Sequence, residues 1–122
     1  MIKERNLAIL GPAALFVGEW TCDNKVGDVV LKDRWLIRYA KGQWTITRKL
    51  HNPQGREVAT AVAKNIRVAD SKLMFRNFFT KKPSSWADSD TTFERDGDSF
   101  DSIVFRWTAR GSNGDGKMTR VK

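Results

Sequence analysis

From Gly18 onward apolar and polar residues alternate in short runs broken by turn residues, and no later segment repeats its apolar positions at helical spacing. Extended runs fall at 17–24, 29–39, 44–50, 57–68, 73–79, 86–94, 99–110 and 117–121. The links between them, DNKVGD, AKGQ, NPQG, ADSK, KKPSS, RDGD and SNGDG, carry Gly, Pro, Asn and Asp where a tight reversal needs them. Asp96-Gly97 and Asn113-Gly114 offer the positive φ of short hairpin turns. Strands joined by links this short pair as an antiparallel meander. Only the segment just before Gly18 differs: a short helix is expected from Pro12 to residue 17, with proline at the first helical position, where its missing N–H costs nothing.

The alternation also assigns faces. Trp44, Ile46 and Leu50 share one side of their run, and Arg48 falls with them. Farther on, Ile103, Phe105 and Trp107 oppose Ser102, Val104, Arg106 and Thr108. Both faces of that run carry something bulky or charged. A flat sheet would leave one such face wet, whereas a closed barrel supplies an interior for it. The expected fold is therefore all-β, an antiparallel meander barrel of about eight strands with a short N-terminal helix. With no repeats and no low-complexity linker, residues 1–122 form a single domain.

A short helix followed by Gly18-Glu19-Trp20 in the first of about eight meandering strands resembles the lipocalin-like (calycin) proteins. The resemblance implies that Gly18 lets the chain bend from helix to strand and that Trp20 lies across the closed end of the barrel. It also implies an arginine from the last strands packed on the indole as a cation–π pair. Arg120, in KMTRVK, matches that role best, with Arg106 and Arg110 as alternatives. The short strands imply a small barrel.

Composition sharpens the choice of partner. A net charge of +8 and a pI near 10.0 favour anions, whether nucleic acid, an acidic lipid surface or a small acidic ligand. A lone cysteine, Cys22, allows neither an internal disulfide nor a multi-thiolate metal site within one chain; it reads as a small half-buried residue of the first strand. No apolar run approaches the roughly 20 residues of a membrane helix. The start, MIKERNLAILGPAALFVG, imitates a signal peptide, but Gly11-Pro12 interrupts its apolar part and no small-x-small cleavage site follows before Trp20. Cytoplasmic residence is the default expectation, with secretion kept open.

Enzyme signatures are thin: there is no phosphate loop, no Gly-x-Ser-x-Gly elbow, and only one histidine, His51, beside the Asn52-Pro53 turn. Asp88, Asp90, Glu94, Asp96, Asp98 and Asp101 crowd one hairpin without the order of a calcium loop, and read as solubilising charge. No cofactor is expected. The preceding hairpin is basic, with Lys64, Arg67, Lys72, Arg76, Lys81 and Lys82 interleaved with Phe75, Phe78 and Phe79. Such a ribbon can hold single-stranded nucleic acid by phosphate contact and base stacking. Its rival reading turns the phenylalanines inward and pairs the cations with the acidic neighbour strand.

The leading functional expectation is a non-enzymatic barrel binding a small, partly apolar molecule that can be anionic. Its pocket is expected to be lined by Trp35, Trp44, Phe75, Trp86 and Trp107, with Arg48 or Arg106 as polar anchor, strand register deciding which residues face inward. The alternatives are a nucleic-acid-binding β-domain using the basic ribbon, an interaction domain that dimerises through a sheet without a small ligand, and a small barrel enzyme using Asp88 or His51.

Overall fold

The computed structural model describes residues 11–122. Residues 1–10, the first part of the signal-like start, lie outside the described residues, and among the described residues no helix is long and apolar enough to cross a membrane. The described residues open with a six-residue 3-10 segment, Gly11–Phe16, where the sequence predicts a short helix from Pro12. Eight strands follow: β1 (Gly18–Val26), β2 (Val29–Ala40), β3 (Gln43–His51), β4 (Glu57–Ala69), β5 (Lys72–Lys81), β6 (Ser89–Arg95), β7 (Ser102–Ala109) and β8 (Ser112–Arg120). Each pairs antiparallel with its chain neighbours, and β8 returns to β1, so the sheet closes into a barrel.

The tight turns follow from local chemistry. The β2–β3, β4–β5 and β7–β8 links each place two consecutive residues at positive φ: Lys41-Gly42, Asp70-Ser71 and Arg110-Gly111. That is the backbone that matches the twist of two-residue hairpins. The last of these corrects the expectation from sequence. Asn113 and Gly114 do not turn the chain; they lie within β8, which begins at Ser112 rather than at 117. The reason lies across the ladder. Trp107 is paired with Gly114 and Phe105 with Gly116, and their rings press so close that a Cβ on either glycine would stand 2.7 Å from ring carbons. These glycines serve as slots for aromatic rings, and Gly111 serves the turn.

Period-two alternation puts the apolar set inside. One end is filled solid by Ala13, Phe16, Trp20, Trp35, Ile37, Ile46, Leu73, Phe75, Phe93, Ile103, Phe105 and Met118. At its centre Trp35, Phe75 and Phe93 meet edge to face, with centroids 5.0–5.8 Å apart. A second cluster of Leu31, Leu50 and Ala59 lines one wall toward the other end. Closure of the barrel is brief: β1 and β8 share only the pairs Trp20 with Arg120 and Thr21 with Thr119, against nine between β1 and β2.

Candidate functional site

The closed end is built on the Gly-x-Trp motif. Trp20 is fully buried, and its indole N–H donates to the Phe16 carbonyl at 2.9 Å, tying the 3-10 segment to β1. The Arg120 guanidinium stacks 4.3 Å above the Trp20 ring and donates to the carbonyls of Val17 (2.9 Å) and Leu15 (2.7 Å). Gly18 has φ +143°, and a Cβ there would meet Arg120 Nη1 at 2.6 Å. Its missing side chain is what admits the guanidinium. Of the three arginines weighed for this role, Arg120 holds it; Arg106 pairs with Glu94 outside the barrel and Arg110 sits at the opposite end.

At that opposite end the interior is hollow. A cavity of about 490 Å³ opens among the β1–β2, β5–β6 and β7–β8 connections. Its walls are Trp35, Leu50, Phe79, Trp86, Phe105 and Trp107; Ser85, Ser89, Thr91 and Asn24 add hydroxyls and an amide, and Lys25 and Arg110 also line it. The residues Trp35, Arg48, Trp86 and Trp107 named from sequence thus come together. Three others do not. Phe75 points inward but lies in the filled layer beneath, with 4% of its surface exposed. Trp44 lies toward the closed end of β3, ring to ring with Tyr39 and against the core. Arg106 alternates with the inward Phe105 and Trp107, so it faces water and meets Glu94.

Arg48 is the cation on the inner wall of the cavity, and its partner is a protein acid that the sequence reading did not single out. Asp33 is fully buried and accepts from Arg48 Nε at 2.9 Å and Nη2 at 2.7 Å, a bidentate fork. The guanidinium also lies 4.4 Å over the Trp35 ring. Asn24 Nδ2 donates to the same carboxylate, and Thr21 Oγ1 donates to the Asp33 backbone carbonyl. The signal for Asp33 was present, because an acid shares the parity of Leu31, Trp35 and Ile37 in β2 just as Arg48 shares that of Ile46 and Leu50 in β3. The register sets Trp35 opposite Arg48, which puts Asp33 diagonally across from it. Cys22 Sγ lies 3.9 Å from Asp33, and burial first, then the Asp33 charge, pushes its thiol up to about 12, so it stays protonated at neutral pH. Among the described residues two buried donors, Trp35 Nε1 and Asn77 Nδ2, have no hydrogen-bond partner.

The other sequence candidates fall outside this cavity. Half-buried His51 ends β3. Asp88 accepts from the Phe79 backbone N–H at 2.9 Å, and Asp90 pairs with Arg76 at 3.1 Å. Among the described residues no three His, Cys, Asp or Glu side chains gather as metal ligands. On the basic ribbon, Lys72 meets Glu94, Arg76 meets Asp90 and Lys81 meets Glu57. Phe75 and Phe79 turn inward, while Phe78 stays outside under the Lys64 ammonium at 3.8 Å. Comparison of the chain with protein-family models, with curated proteins and with solved structures returned no match.

Proposed function

We propose that this barrel is a lipocalin-like module that binds one small, partly apolar molecule. The observation that carries the reading is the half-filled interior: one end is packed solid and sealed by the Trp20–Arg120 stack, while the other leaves about 490 Å³ walled by aromatic side chains. That volume lies within the range of small-molecule sites, and a mostly apolar wall with a few fixed polar groups is their usual chemistry. The family part of the reading is supported by Gly18, Trp20 and Arg120 acting together and by the eight-strand meander. The aromatic walls favour ligands with an apolar chain or ring, and the excess of cations favours those with an acid group.

Trp86 and Trp107 stand in the cavity wall, so occupancy is readable in intrinsic fluorescence. The test is a titration of the purified protein with a panel of fatty acids, aryl acids, their neutral alcohols and sterols, followed by fluorescence and melting temperature. At least one class is expected to quench saturably and to raise the melting temperature by mass action. A panel that does neither at millimolar concentration would refute the reading and favour an interaction domain.

A further inference from the structure

Resting on that reading, a second question has a physical answer: which end of an amphipathic acid enters first. The cavity holds cations at two levels. Arg48 is at the inner level, while Lys25, next to the last residue of β1, and Arg110, in the β7–β8 turn, border the opening.

At the inner level the charge is already matched. Asp33, fully buried, takes two of the Arg48 nitrogens at 2.9 and 2.7 Å. A ligand carboxylate brought to Arg48 would be attracted by the guanidinium and repelled by Asp33 beside it. The two effects nearly cancel, and the cost of stripping water from the incoming carboxylate is left uncompensated. What the inner level offers instead is neutral: the hydroxyls of Ser89 and Thr91, 3.3 Å from each other and set among aromatic rings. These suit an apolar terminus carrying at most a neutral acceptor.

At the mouth the situation is reversed. Among the described residues neither Lys25 nor Arg110 has an acidic partner within 4.0 Å, and no carboxylate side chain lines the cavity. Both side chains are exposed, so an anion held between them keeps part of its hydration. Attraction there needs only partial desolvation of either partner.

We infer that the ligand is an amphipathic monoanion bound head outward, its apolar body against Phe79, Trp86, Phe105 and Trp107 and its acid group between Lys25 and Arg110. Arg48 then acts as a fixed, neutralised part of the wall that holds the Trp35 ring in place, and does not select charge.

The experiment measures dissociation constants for decanoate and decanol by fluorescence, on the wild type, on Lys25→Gln with Arg110→Gln, and on Asp33→Leu with Arg48→Met. Wild type is expected to prefer the acid, with the preference shrinking at high salt. The mouth variant should weaken decanoate about tenfold more than decanol, the combined effect of two exposed ion pairs. The inner variant should shift both affinities by the same factor. Loss of acid preference in the inner variant with retention in the mouth variant would overturn the orientation. Equal wild-type binding of acid and alcohol would overturn it too, yet leave the container reading standing. If neither probe binds, the orientation fails, and the container reading stands or falls with the broader panel.

Discussion

Replacing Gly18 by alanine tests the closed end most directly. Two separable costs arise. The backbone at φ +143° is a conformation that L residues rarely adopt, and forcing a Cβ into it costs about 1–3 kcal/mol. The new methyl also stands 2.6 Å from Arg120 Nη1, so the guanidinium must withdraw. That forfeits its hydrogen bond to the Val17 carbonyl, about 1.5 kcal/mol or more for a charged donor, and weakens its stack on Trp20, worth about 0.5–2 kcal/mol. Together Gly18→Ala is expected to cost about 3–6 kcal/mol, a large share of the roughly 5–15 kcal/mol that holds an ordinary domain. Urea unfolding followed by tryptophan fluorescence reads this as a shift of midpoint at constant slope. Gly42→Ala is the control: it also has positive φ, +76°, but no atom within 4 Å of the added Cβ, so it carries strain alone. In an Arg120→Met background the withdrawal cost disappears, and the double-mutant cycle should show a coupling of about 1.5–3 kcal/mol. If Gly18→Ala costs no more than Gly42→Ala, or costs the same with and without Arg120, then the glycine is not there to admit the guanidinium.

Two further outcomes follow from the buried network around Asp33. Asp33→Asn strands the Arg48 charge in the interior and should cost about 3–5 kcal/mol in urea, whereas Asp33→Leu with Arg48→Met should lie within about 1 kcal/mol of wild type or above it; equal losses for the two would contradict this account. Cys22 supplies the pH dependence. An unfolded thiol titrates near ~8.5, whereas the native one is held up to about 12, so across that window the unfolded chain carries fewer protons and stability falls as pH rises. The urea midpoint of wild type should therefore drop more between neutral pH and alkaline pH than that of Cys22→Ala, and parallel curves would show that the thiol is not shielded.

Period two tells inside from outside almost everywhere, because each strand has one face in the core. Arg106 illustrates the power of the rule as well as its neglect: its parity, opposite to Phe105 and Trp107, is enough by itself to place it in water. What alternation does not carry is height along the barrel. Phe75 and Trp44 point inward as expected, yet both lie at levels below the cavity, since that depends on the stagger between strands and on where the 3-10 segment plugs the end. Turn chemistry misleads at SNGDG for a related reason. A glycine chosen for φ and one chosen to receive an aromatic ring look alike in sequence, and only the pairing of Trp107 with Gly114 tells them apart. Asp33 was legible by the same logic that exposed Arg48, since one inward charge calls for another of opposite sign on a neighbouring strand.

The two-pair seam between β1 and β8 has a consequence for biosynthesis. Every other strand contact is a hairpin between chain neighbours, local enough to need no part of the chain beyond its second arm. Closure is the exception, because the guanidinium that ties Leu15 and Val17 to the far edge lies 103 residues beyond Val17. At usual elongation speeds that separation is roughly 5–20 s. For all of that interval the outer edge of β1 lacks the strand that covers it in the finished barrel, and an uncovered edge is what pairs most readily with another chain. A chaperone that shields β1, or a pause placed late in the message, would therefore act on the yield of this protein without altering the finished barrel at all.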